Sequence, residues 1–160
     1  MRLKLSSARY MEAREVGRVS PQQQGILLHG VMEHAKSRED IYRAIEQLVI
    51  DGVICQSEAD TLTAQINSAL SNTLVAEWFD AAWDMVYTED SIITPKGSIV
   101  RPDRVMVAGN RAVVVDYKFG VQIEEYKDKI RHYASLLEQM GYSDVKGYLW
   151  YVREGEIIEV

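Results

Sequence analysis

At 160 residues, with 47% hydrophobic and 26% charged side chains, the chain is long enough to bury a core and ordinary in composition for a globular domain. Its net charge of −6 argues against a broad basic surface that grips nucleic acid. It does not exclude a metal-centred site, because clustered carboxylates raise the negative count while the metal they bind supplies a positive field.

In the opening stretch, Met1-Arg2-Leu3-Lys4-Leu5-Ser6-Ser7 lacks the apolar core of a secretion signal, and no apolar run in the chain approaches the length that crosses a bilayer. A cytoplasmic protein with no membrane partner is expected. Ser20-Pro21-Gln22-Gln23 carries a helix start, with Ser20 as N-cap, Pro21 at the first helical position and Gln23 completing a capping box. The predicted helix runs to about Lys36. Leu27, Leu28, Val31, Met32 and Ala35 form its apolar stripe, and His29 and Glu33, four apart, share a face. From Glu39 to about Ser71 the pattern is again helical but breaks near Asp51-Gly52, before Ser57 caps the next segment, which makes a helical hairpin. Cys55, the single cysteine, reads as a small buried hydrophobe and excludes an internal disulfide or a four-cysteine metal site within one chain. A third amphipathic segment, Val75 to about Met85, spaces Trp78, Phe79 and Trp83 for core packing rather than base stacking.

After Glu89 the composition turns β-rich: Ser91 to Thr94, a turn at Pro95-Lys96-Gly97, then Ile99 to Ala108 and Arg111 to Phe119. Ile123, Tyr126, Ile130, Tyr133, Leu137 and Met140 then step by three and four, one face of a helix ended by Gly141. Val145 to Arg153 and Glu156 to Val160 close the chain as strands around Glu154-Gly155. This order predicts an α/β or α+β class: a small central mixed sheet flanked by helices, with a helical insertion at about residues 39–85 in one domain spanning 1–160.

The stretch from Asp103 to Lys118 is the most informative. Val105 to Ala108 and Ala112 to Val115 are apolar and β-rich, and Gly109-Asn110 between them is a two-residue turn signal that fixes the register. Val107 then faces Ala112, Val105 faces Val114, and Asp103 faces Asp116 as a non-hydrogen-bonded pair, with Cβ atoms about 4.5 to 5.5 Å apart. Lys118 projects on the same face as Asp116 about 7 Å along the strand, and Tyr117 points the other way. Two carboxylates opposite each other destabilise a sheet unless neutralised. Mg²⁺ or Mn²⁺ suits that task.

Gly25-Ile26-Leu27-Leu28-His29, then Arg101-Pro102-Asp103-Arg104-Val105, then Asp116-Tyr117-Lys118-Phe119-Gly120, then Tyr126 and Tyr133 on the following helix, and the closing Gly141-Tyr142 and Gly147 to Val152, together resemble the RecB/AddA-type nucleases of the PD-(D/E)xK superfamily. The similarity covers about Leu5 to Val152. Asp144-Val145-Lys146 and Glu125-Tyr126-Lys127 repeat the acid-x-lysine spacing, but neither leaves a strand beside a second acid. The resemblance implies a restriction-endonuclease-like core. It implies a metal-dependent deoxyribonuclease, of exonuclease type, acting in double-strand break repair and recombination as the C-terminal piece of a UvrD-like helicase-nuclease. Its partners would be single-stranded DNA or duplex ends and a helicase domain in the same chain or complex. His29, Asp103 and Asp116 become ligands of Mg²⁺ or Mn²⁺, with the Tyr117 backbone carbonyl a further oxygen ligand. Asp103, Asp116 and Lys118 become the catalytic set, and Glu33, Tyr126, Lys129 and Tyr133 accessory or DNA-contacting positions.

One departure matters. Where the family carries glutamine in a Gln-apolar-x-x-Tyr pattern, this chain reads Lys129-Ile130-Arg131-His132-Tyr133. A lysine can meet a phosphate as a point charge but cannot accept a hydrogen bond from water. The alternative left open is a nuclease-like module that binds DNA ends or a protein without cutting. A zinc peptidase does not fit, since His29-x-x-x-Glu33-His34 is one residue longer than the inverted zincin motif, and no phosphate-binding Gly-x-x-x-x-Gly-Lys loop is present for ATP hydrolysis.

Overall fold

The computed structural model describes residues 20–80 and 82–160. The stretch read for a secretion signal and the part of the resemblance before residue 20 lie outside the described residues. The chain divides into two compact units between Val75 and Ala76.

In the first unit, α1 (Pro21–Met32) starts as its capping box requires: Gln23 N donates to Ser20 Oγ at 3.3 Å and Ser20 N to Gln23 Oε1 at 2.7 Å. It ends a turn before the expected Lys36. The amides of Lys36 and Ser37 instead donate to Asp40 Oδ2, at 3.0 and 3.1 Å, and so belong to the start of α2 (Arg38–Ile50). The expected hairpin is formed by α2 and α3 (Gln56–Leu70): Ile41, Ile45 and Leu48 are buried, as are Ala59, Leu62, Ile66 and Leu70, and Tyr42 Oη donates to Asn67 Oδ1 at 2.5 Å. Its second helix is capped at Cys55 rather than Ser57, because the Glu58 carboxylate accepts from Cys55 N at 2.8 Å. Cys55 is consequently exposed, not a core residue.

The boundary between the units falls within α4 (Thr73–Asp80), which ends five residues short of the expected Met85. By Asp84 the backbone has already joined a sheet, donating to Val107 O at 2.9 Å, and Met85 opens β1 (Met85–Thr88). A two-stranded sheet follows, β2 (Ile92–Ile93) with β3 (Ile99–Val100), and then β4 (Arg104–Ala108), β5 (Arg111–Lys118), α5 (Glu124–Gln139), β6 (Asp144–Tyr151) and β7 (Glu156–Glu159). Residues 99–108, expected as one strand, are thus two strands in different sheets, broken around Pro102. The main sheet runs β1-β4-β5-β6-β7, antiparallel except for β5 and β6, which are parallel and joined through α5. The class is mixed α/β, as the element order predicts.

The hairpin of β4 and β5 keeps the predicted register, with Ala108 opposite Arg111 and Val105 opposite Val114. Gly109 takes φ +56°, the glycine-first turn whose twist matches the flanking strands. On one face of the sheet Val105, Val107, Ala112, Val114, Leu149 and Tyr151 pack with Ile130, Tyr133 and Leu137 of α5. Gly147 permits this approach, since a Cβ there would collide with Ile130 Cγ2. On the opposite face Trp150 meets the rings of Trp78 at 5.8 Å, Phe79 at 6.4 Å and Tyr117 at 5.6 Å. Trp78 and Phe79 are core residues, as their spacing predicts. Among the described residues no helix is long and apolar enough to cross a membrane.

Candidate metal centre

The ladder between β1 and β4 closes at Thr88 opposite Arg104, and that between β4 and β5 at Arg104 opposite Val115. One residue further along each strand stand Glu89, Asp103 and Asp116. Three acids therefore stand level with one another across β1, β4 and β5, just past the paired ends of β1 and β4. Asp103 itself lies in a bend just before β4 rather than in a cross-strand pair with Asp116, which corrects the pairing expected above. The next pair would set Tyr117 opposite Pro102, which has no N–H to give. The Tyr117 N–H goes to the Asp103 side chain instead of the Pro102 carbonyl: Asp103 Oδ2 accepts it at 2.7 Å, and the Asp103 carbonyl accepts from Glu89 N at 3.1 Å. Glu89 reaches this position at φ +55°, unusual for a residue with a Cβ. Its carboxylate oxygen lies within 4.8 Å of that of Asp103.

Asp116 is 1% exposed, and two ammonium groups meet its Oδ2, Lys118 Nζ at 2.5 Å and Lys129 Nζ at 3.7 Å. Lys118 reaches it from two residues along the same strand, as the alternation of side chains requires, and its ammonium also sits over the Tyr126 ring at 4.1 Å. Lys129 comes from α5, near the Tyr133 ring at 5.4 Å. Burial, and then the neighbouring charge of Asp116, push the Asp103 carboxyl up to about 8 from 3.8; a hydrogen bond to Asp116 and another to Glu89 add to the rise, while the Tyr117 amide opposes it. With its pKa raised that far, Asp103 is the acid of the cluster that holds a proton at neutral pH. For Lys129, burial alone would lower the ammonium, but the charge of Asp116 and contacts with Tyr133 and Asp103 outweigh it and the net direction is up. Burial likewise raises the phenol of Tyr133, against the pull of Lys129, and pushes that of Tyr117 to about 12.

The sheet unit therefore brings together Asp103, Asp116, Lys118 and Lys129, with Tyr126 and Tyr133 beside the two lysines. Tyr133 is mostly buried in the α5 core as well, so both readings of that position describe the same ring. The Tyr117 ring points to the opposite face, as predicted. Its N–H is bonded to Asp103, and since the N–H and C=O of one strand residue leave on the same edge, its carbonyl lies on the Asp103 side. His29 and Glu33 belong to the other unit. His29 is half-buried on α1, and Glu33 is the C-cap of that helix, its Oε1 3.9 Å from His34 Nε2.

Glu89 is the functional candidate that sequence reasoning missed. Reading Met85 as the end of a helix hid the strand that carries it. The β-branched and aromatic run Val86-Tyr87-Thr88 was the available signal. Arg104, next to Asp103, is fully buried on the opposite face: its Nη2 donates to Trp78 O at 2.7 Å and its guanidinium lies 4.1 Å from the centre of the Phe79 ring. It braces the strand end beneath the acids. No protein-family model matches the chain, and a comparison with curated proteins returns no match either.

Proposed function

We propose that this chain is a Mg²⁺- or Mn²⁺-dependent deoxyribonuclease that hydrolyses phosphodiesters without a covalent enzyme intermediate. The observation that carries the reading is the buried Asp116 carboxylate flanked by a second acid, Asp103, and by the Lys118 ammonium at 2.5 Å. A fully buried carboxylate beside a second acid is costly to fold unless it is neutralised. Carboxylate oxygens are the donors a hard divalent cation prefers, so the donor set fits the ion.

In this reading Asp103 and Asp116 would hold the ion, with the Tyr117 carbonyl a further ligand and Glu89 within reach of Asp103, and the motif resemblance adds His29. When bound, the ion polarises a phosphoryl oxygen and lowers the pKa of water. Lys118 steadies the attacking water and the negative charge that develops on the phosphorane oxygens, and its position against Asp116 and the Tyr126 ring keeps the ammonium fixed for that task. A role in double-strand break repair and recombination, beside a helicase in the same chain or complex, follows from the resemblance of the motifs and is part of the proposal.

One observation favours a second reading, a nuclease-like module that binds DNA ends or a protein without cutting. Lys129 adds a second positive charge beside Asp116, so the protein partly supplies its own counter-ion. Incubating metal-stripped protein with end-labelled single-stranded and double-stranded DNA separates the two. Cleavage that needs added Mg²⁺ or Mn²⁺ supports the nuclease; binding without cleavage at any metal concentration supports the module.

A further inference from the structure

Two lysines share the single oxygen Asp116 Oδ2, and they are not equivalent. Lys118 is held at 2.5 Å, its side chain 15% exposed and its ammonium over the Tyr126 ring. Lys129 stands at 3.7 Å, beyond an ordinary hydrogen bond, with its side chain 45% exposed on α5. Of the two, Lys129 has the looser contact and the open path to solvent. A divalent cation among Asp103 and Asp116 would take over the charge of Asp116 Oδ2 and repel both ammonium groups. The clamped one stays; the other is free to turn outward, pivoting on a long flexible stem.

We propose, building on the metal-dependent nuclease reading, that Lys129 is a cation-gated phosphate contact: it neutralises Asp116 in the cation-free protein and swings to a phosphate of the DNA strand when a divalent ion takes its place. A glutamine at this position could donate a hydrogen bond to the acid or to a phosphate but would bring no charge to either. Metal and DNA are then coupled. The ion displaces Lys129 from Asp116, and the displaced ammonium adds one phosphate contact, so each ligand tightens the other.

The gate separates this role from that of a lysine that merely lines a DNA groove, which would help binding equally with and without the ion. It also separates it from a structural ion pair, whose loss would lower stability and leave the salt dependence of DNA binding unchanged. For a protein with net charge −6, a phosphate contact switched on only after metal loading is also a local remedy for poor long-range attraction.

The test uses the full 160-residue chain and its Lys129→Gln and Lys129→Arg variants, with Ca²⁺ as the binding probe and a short single-stranded oligonucleotide. Calorimetry without DNA should find Ca²⁺ bound about tenfold more tightly by Lys129→Gln, because a like charge has been removed from beside the ion. With Ca²⁺ present, Lys129→Gln should bind the oligonucleotide more weakly, with the slope of log affinity against log salt shallower by about 0.7, the value of one phosphate contact on a single strand. In chelator the wild type and Lys129→Gln should bind DNA alike, and Lys129→Arg should keep the wild-type salt slope. Equal Ca²⁺ affinity in wild type and Lys129→Gln, or a loss of DNA affinity that is the same with and without Ca²⁺, overturns the gate while leaving the nuclease reading standing. A wild type that binds no divalent ion overturns both.

Discussion

Binding of a divalent ion to this chain should expel close to one proton at neutral pH, and the group that loses it is Asp103. With the Asp103 carboxyl raised to about 8 by burial and by the neighbouring charge of Asp116, it is mostly protonated at pH 7 and mostly ionised at pH 9. A cation cannot share Asp103 with that proton, so the two compete. The competition weakens apparent affinity about tenfold at pH 7 and about 100-fold at pH 6 relative to the limit at high pH. Calorimetric titration of metal-stripped protein with Mg²⁺, repeated in buffers of different ionisation enthalpy at pH 7, 8 and 9, counts the protons directly. Release falling from near one to near zero with its midpoint around pH 8 is expected. Release of none at pH 7, with affinity flat from pH 7 to 9, would refute the raised Asp103 carboxyl as a ligand and with it the placement of the ion beside it.

The same raised group sets a pH dependence of stability in chelator. Between 3.8 and 8 the folded protein binds a proton at Asp103 that the unfolded chain does not, so this stabilisation is complete below 3.8 and is lost as pH rises through 8. Asp103→Asn, which cannot ionise, should therefore gain more unfolding free energy over wild type in chelator at pH 8.5 than at pH 5.5, by on the order of a few kcal/mol in denaturant melts, and should abolish any stabilisation by Mn²⁺. Gly147→Ala should cost about 1 to 3 kcal/mol in a denaturant melt, because its methyl would have to displace Ile130 from a fully buried position; an unchanged midpoint would show that α5 can move away. If the proposed helicase context is right, this chain should cut long DNA more slowly than the longest natural chain containing it at equal metal and salt, since tethering raises the effective concentration of the strand to about millimolar. Equal rates would indicate a self-sufficient nuclease.

What was legible in the sequence was local. The Ser20–Gln23 box, the Gly109 turn and the register it fixes, and the 3.6-residue stripe of α5 each rest on contacts between near neighbours, and all are found in the structure, except that Ile123 and Met140 at the two ends of the stripe flank the helix and are exposed. The misreadings share a cause. Trp83 and Met85 continue an apolar spacing that fits a helix, yet Asp84 and β1 are drawn into the sheet by partners more than twenty residues away, Val107 and Gly109. A single pattern cannot report such a pairing. Losing β1 meant losing Glu89, and reading residues 99–108 as one strand missed the break at Pro102 that turns the Asp103 side chain into a cap for Tyr117. The contact of Lys129 with Asp116 joins a helix to a strand across a loop, and only its place in the family-like motif hinted at it.

The central claim is tested most directly by Asp116→Ala and Lys118→Ala, assayed side by side for cleavage of end-labelled DNA and for Mn²⁺ binding. Asp116 is a proposed ligand and Lys118 is not, so both variants should lose cleavage by at least about 100-fold. Only Asp116→Ala should also lose the ion, while Lys118→Ala should bind Mn²⁺ at least as tightly as wild type, a positive charge having left its side. Cleavage by Lys118→Ala at the parental rate, or by Asp116→Ala with unchanged Mn²⁺ dependence, would contradict the assignment of this cluster as the catalytic centre.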